Sequence, residues 1–189
     1  MKKWLPWAIV AGVILINVFM AIGTYNSLVA KQEAAKTAWS QVENQYQRRF
    51  DLIPNLVETV KGFAKQEREV LTEVTRLRSQ WGAARSSGDI GQAQQAARGL
   101  DTVLSRLLLV AERYPELKSN QNFLKLQDQL EGTENRISVE RRRYNLAVQE
   151  YNTKTRRFPT SLLASMFGFS RMELFEAETG AEKAPKVKF

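Results

Sequence analysis

The chain has 189 residues, room for one ordinary domain plus an anchor, and its 43% hydrophobic and 25% charged residues give a globular balance. It has no cysteine and no histidine, which excludes disulfides, Ser-His-Asp and Cys-His catalysis, and zinc chemistry. A net charge of +8 admits nucleic acid, anionic lipid or an acidic protein as partner, but a solvated basic helical surface accounts for it as simply.

Residues 4–22 read WLPWAIVAGVILINVFMAI, with no charge and with Asn17 the one strongly polar residue. A helix needs about 20 apolar residues to cross a bilayer core of roughly 30 Å, so residues 1–24 are expected to form a transmembrane anchor. Trp4 and Trp7 fit an interfacial aromatic belt, and Pro6 falls in the first turn, where a missing N–H does no harm. The rival reading is a cleaved signal peptide, but the run exceeds an h-region of about 7–15 residues. Lys2 and Lys3, set against Lys31 and Lys36, tilt the positive-inside bias towards a cytoplasmic N-terminus with the main domain outside.

From Tyr25 onward the apolar residues recur at steps of three, four and seven. Tyr25, Leu28, Ala35, Trp39, Val42 and Tyr46 make one stripe, continued by Phe50, Ile53, Val57, Val60, Ala64, Leu71, Val74, Leu77 and Trp81. Pro54 interrupts this pattern, and a kinked but continuous helix is expected there, with Asp51 able to cap it if it restarts. Residues 86–89, SSGD, read as a loop with Asp89 a candidate N-cap. Leu100, Val103, Leu104, Leu107, Leu108 and Ala111 form the next stripe, closed by Tyr114-Pro115, and Ser119 or Asn120 caps the helix after it. That last long helix carries Leu126, Leu130, Ile137, Tyr144 and Tyr151, the final four stepping by seven as in a coiled coil. Phe158-Pro159 closes it. Residues 158–177 are expected to form a short amphipathic element with Leu162, Leu163, Met166, Phe167 and Phe169, and residues 178–189 a loose tail. The fold class is therefore all-α. An N-terminal transmembrane helix precedes a long-helix antiparallel bundle of three to four helices over residues 25–157, with coiled-coil-like packing.

The polar residues that stand out divide into four groups. Around Pro54, Arg49, Asp51, Asn55 and Glu58 concentrate at a helix irregularity. They would meet a partner there, or satisfy the broken backbone and pair with Arg49. On the last long helix, Gln127, Gln129, Glu131, Glu134, Asn135 and Arg136 cluster, with Glu131 and Asn135 one turn apart. Carboxylates so placed can do acid–base work, but ordinary i,i+4 support demands the same residues. The Tyr-Asn pairs at 25–26, 144–145 and 151–152 suit rings packed between helices with hydroxyls reaching polar groups at the rim. The arginine runs at 48–49, 141–143 and 156–157 suit lipid headgroups or phosphates, and no nucleic-acid motif accompanies them.

The segments YNSLV (25–29), AWSQVENQYQRRFDLIPNLVETVKGFAKQE (38–67), YPELKSNQNFLKLQDQLEGTENRISVERRRYN (114–145) and YNTKTRRFPTSLLASMFGF (151–169) resemble the LemA family. The resemblance implies a bacterial protein with an N-terminal membrane anchor and a helical bundle. Some relatives place a lipobox-like cysteine where this chain has Gly23-Thr24, which implies an outward-facing domain. Magnetosome-membrane proteins of the MamQ type are similar to this family, which implies membrane organisation. No family catalytic residue carries over, and no cofactor is expected.

The expectation is a non-enzymatic scaffold in the bacterial inner membrane, organising a membrane or a membrane-protein complex, with lipid and further copies of itself as partners. The alternative is an accessory subunit of another envelope membrane protein, such as a transporter, peptidase or stress factor. An enzyme would need a mechanism built on carboxylates alone.

Overall fold

The computed structural model describes residues 4–63 and 68–175. Every regular element among them is helical: α1 (Leu5–Phe63), α2 (Arg68–Ser87), α3 (Ile90–Arg113), α4 (Pro115–Lys118), α5 (Gln121–Arg156) and α6 (Thr160–Met166). The stripe expected to run from Phe50 to Trp81 is shared between α1 and α2. Ala64, Lys2, Lys3 and the tail at 178–189 lie outside the described residues.

The helix passes through Pro54 without interruption. Asp51 therefore caps nothing. It accepts a hydrogen bond at 2.8 Å from Gln47 Nε2, whose own oxygen accepts at 2.9 Å from Arg85 of α2.

The chain divides into two compact units. Among the described residues, those up to Ser40 with Arg142–Leu174 form one, and those between Gln41 and Arg141 with Phe175 form the other. In the first, α1 begins with an apolar stretch that faces outward: Trp7 is 76% and Phe19 72% exposed. It is long and apolar enough to cross a membrane. From Leu28 the same helix changes character. Leu28, Ala35 and Trp39 are buried, as are Tyr144, Val148 and Tyr151 on α5, and the two faces meet where the Trp39 and Tyr144 rings lie 5.3 Å apart. Lys31 pairs with Glu150 at 2.9 Å beside them.

The second unit is built on the α2–α3 pair. α2 ends in a Schellman motif: Gly88, at φ 68°, donates to Arg85 O and Asp89 donates to Ala84 O. Asp89 is then the N-cap of α3, its carboxylate accepting from Gln92 N at 2.9 Å, as its position in SSGD predicts. Gly99 permits close approach of the two helices, since a Cβ there would stand 2.7 Å from Leu77 Cδ2. Between Ser119 and Asn120, Asn120 is the cap of α5: its Oδ1 accepts from the backbone of Asn122 and Phe123.

Two stripe assignments need correction. Leu108 is 38% and Tyr25 40% exposed, because each sits at the margin of its helix's buried face. The heptad seam of Leu130, Ile137, Tyr144 and Tyr151 is buried throughout within this one chain. It is therefore not a free surface for a second copy.

Candidate functional site

Arg49 is the one strongly polar side chain of the α1 stripe, and its burial demands a counter-charge. Tyr46, Arg49 and Phe50 lie within one turn of α1 and face inward together. Arg49 Nη1 stands 2.6 Å from Asp101 Oδ1 of α3 and 2.6 Å from Glu134 Oε2 of α5. Arg141, two turns beyond Glu134 on α5, brings Nη2 to 2.5 Å from Asp101 Oδ2, and Tyr46 donates its hydroxyl to the same oxygen at 3.3 Å. Two guanidinium groups and two carboxylates thus balance one another where α1, α3 and α5 meet.

Aromatic rings wall this cluster. The Arg141 guanidinium lies 4.3 Å from the Phe175 ring centroid and 5.3 Å from that of Tyr46, a cation–π arrangement with two rings. Trp81 of α2 packs against Tyr46 and Phe50, each at 5.2 Å. Arg49 Nε and Trp81 Nε1 are buried donors with no acceptor among the described residues. A buried ion network of this kind costs desolvation, and its best-attested use is to fix which faces meet. Open grooves lie elsewhere. One of about 900 Å³ is lined by Val57, Lys61, Leu71, Thr75 and their neighbours.

Glu134, Arg141 and Arg49, all singled out from sequence, sit in the network itself, Arg49 alone among the residues around Pro54. Arg49 does not pair with Asp51 or Glu58: Glu58 is exposed and bonds Lys61 at 3.1 Å, and a helix carries residues two or nine apart to different faces. Pro54 and Asn55 are exposed, with the Asn55 carbonyl accepting from Thr59. Glu131 is exposed and accepts from Gln127 at 3.3 Å, while Asn135 and Arg136 point to solvent. Glu134, from the same polar cluster, is the member that turns inward. Asp101 was missed by sequence reasoning, although its signal was present. It is the only acid of α3 before Glu112, and it falls four residues after Ala97 and three before Leu104, at the edge of the apolar stripe.

A second polar arrangement, in the first unit, accounts for Tyr144, Tyr151 and Asn152 of the Tyr-Asn pairs. Tyr144 donates its hydroxyl to Glu173 O at 2.8 Å, and Tyr151 donates to Ser170 O at 2.9 Å. Asn152 donates from Nδ2 to Met172 O at 2.8 Å and accepts from Met172 N at 3.0 Å. One face of α5 thereby holds the non-helical strap that comes after α6. Burial, with the Glu173 carboxylate adding to it, pushes the Tyr144 phenol up to about 12. Burial also raises Tyr151, against the opposing pull of Lys36.

Among the described residues, no three carboxylates gather where they could hold a metal ion. Both network carboxylates are held by guanidinium groups, so what the arrangement does is clasp helices.

The family model described as the LemA family matches residues 38–189. The magnetosome proteins MamQ 1 and MamQ 2 of Paramagnetospirillum magneticum are each 28% identical over 181 residues, covering 84% of this chain and 66% of their own length. The protein LemA of Metamycoplasma hominis is 24% identical over 161 residues, covering 84% of this chain and 72% of its own. The chain therefore spans just under two thirds of its magnetosome relatives.

Proposed function

Because this chain belongs to the LemA family, we propose that it is a membrane-anchored, non-enzymatic helical scaffold that organises a membrane or a membrane-protein complex as a homo-oligomer. The observation that carries this reading is the change of character along α1. Its first turns are apolar and exposed, and the same helix, unbroken, then buries a stripe and contributes Arg49 to an ion network. A helix of that kind ties a helical body directly to a single membrane span. The helices of that body form an antiparallel bundle, and its place is the bacterial inner membrane with the bundle outside. The similarity to magnetosome proteins supports a role at a membrane.

Self-association cannot use the heptad seam, which is buried. It has other surface at its disposal: Leu109 on α3 and Leu146 on α5 are 64% and 55% exposed. Confinement to two dimensions raises the effective concentration of anchored chains, and identical subunits favour closed symmetry. Size exclusion with light scattering on detergent-purified protein tests this. A large assembly of defined mass supports the scaffold. One chain per particle, co-purifying with an unrelated membrane protein, replaces it with the accessory-subunit reading.

A further inference from the structure

α6 is short, and its two faces differ. Thr160 and Ala164, one turn apart, are buried. Leu162 and Met166, also one turn apart but on the opposite side, are 65% and 70% exposed, and Phe158 just before the helix is 80% exposed. Three large apolar side chains thus point away from the unit that holds them. In water such a patch is unfavourable, and something covers it.

The place of α6 in its unit says what. Phe167, the residue that ends the helix, packs edge-on against Tyr25 at 5.1 Å, and Phe169 meets the same ring at 5.6 Å. Phe167 also lines an apolar hollow of about 370 Å³ with Val18, Ala21, Ile22 and Tyr25 of α1. Val18 lies four residues inside the end of the apolar run at Ile22, roughly 6 Å along the helix at 1.5 Å per residue. If that run spans a bilayer, Phe167 sits at the depth of its last turn, and α6 lies at the boundary between hydrocarbon and headgroups. Arg156 and Arg157, both exposed, immediately precede Phe158. Cations flanking an apolar face are what an anionic membrane surface attracts.

We propose that α6 is a second membrane contact: its Phe158, Leu162 and Met166 face inserts into the outer interface of the bilayer that α1 crosses, with Arg156 and Arg157 among the headgroups. This rests on the reading of α1 as a membrane anchor. The contact would fix the emerging helix at two points and so limit its tilt and rotation relative to the membrane.

The native chain has no cysteine, so single ones can be placed and labelled cleanly. Full-length Leu162→Cys, Met166→Cys and Phe19→Cys proteins, each carrying an environment-sensitive fluorophore, are reconstituted into vesicles of phosphatidylcholine and phosphatidylglycerol. The dye's glutathione adduct in the same suspension gives the fully aqueous value. We expect blue-shifted emission at Leu162 and Met166, loss of that emission to a lipid-borne nitroxide, and protection from iodide. Aqueous behaviour at both positions, with Phe19 quenched by lipid, overturns the proposal and leaves the anchor standing. Protection from both quenchers, with disulfide-linked chain pairs forming at the unlabelled cysteines, also overturns it and assigns the face to a second copy. A Phe19 probe untouched by lipid quencher removes the anchor, and this inference with it.

Discussion

Asp101 shows how much can hang on one side chain. It accepts from Tyr46, Arg49 and Arg141, and the buried Arg49 has Glu134 as its other counter-charge. Removing one member of a buried pair leaves the other charged and uncompensated, so Asp101→Asn should cost about 2–3 kcal/mol, below the usual cost of a fully buried pair because Glu134 and Arg141 keep some access to water. Glu134→Gln should cost under about 1 kcal/mol, since that carboxylate is half exposed. Denaturant midpoints on the two variants, measured by circular dichroism, check the order. Tyr144 gives a second expectation. Its folded pKa of about 12 lies above the ordinary phenol value of 10.0, so the unfolded chain loses that proton first as pH rises. The contribution of Tyr144 to stability is complete below pH 10 and is lost as pH climbs towards 12. A tyrosinate absorbance titration should show a late component near that value which disappears in Tyr144→Phe, and a titration unchanged by the substitution would contradict it.

Among the elements, the strap after α6 depends most on side chains and least on its own backbone. Asn152 satisfies both the N–H and the C=O of Met172, as a neighbouring strand would. Asn152→Ala leaves two backbone groups unpaired at about 1–3 kcal/mol each if they stay buried, so the strap should detach instead. Limited proteolysis should then cut within residues 168–175 while α1 and α5 stay intact, and equal resistance in variant and native protein would remove the role given to Asn152. Pro54 poses the opposite case. It sits inside α1, exposed, where it withholds a donor from the Phe50 carbonyl. Pro54→Ala restores that bond and should raise stability by about 1 kcal/mol or more with helicity kept. Sizing of the same variant separates two roles. An unchanged assembly marks the proline as merely tolerated, and a lost assembly with the fold intact marks its backbone geometry as part of an association surface.

For the molecule as a whole, the expectation that matters is orientation. A cytoplasmic N-terminus puts everything after the span outside, because the lysines at 2 and 3 resist translocation. Protease added to intact spheroplasts should digest the helical body, whereas complete protection until lysis would reverse the topology. The same assay on the Leu162→Cys and Met166→Cys proteins confirms that labelling leaves the topology unaltered.

Most of the architecture was legible in the sequence because its signals act over a few residues. The apolar run at 4–22, the caps at Asp89 and Asn120, the stops before Pro115 and Pro159 and the 3.6-residue stripes each state a local preference, and the helices obey them. Tyr144 and Tyr151 were likewise readable as rings inside with hydroxyls at a rim. What no local pattern encodes is which helix face meets which. Arg49 finds Asp101 across 52 residues and Glu134 across 85, and Tyr144 finds the Glu173 carbonyl across 29. Periodicity placed Arg49 on a face without naming its counter-ion, and the sequence neighbours Asp51 and Glu58 looked nearer than the true partners. The heptad spacing on α5 leaves open, for the same reason, what packs against it. A seven-residue repeat specifies a buried seam, and only the packed chain decides whether a second copy or the chain's own helices bury it.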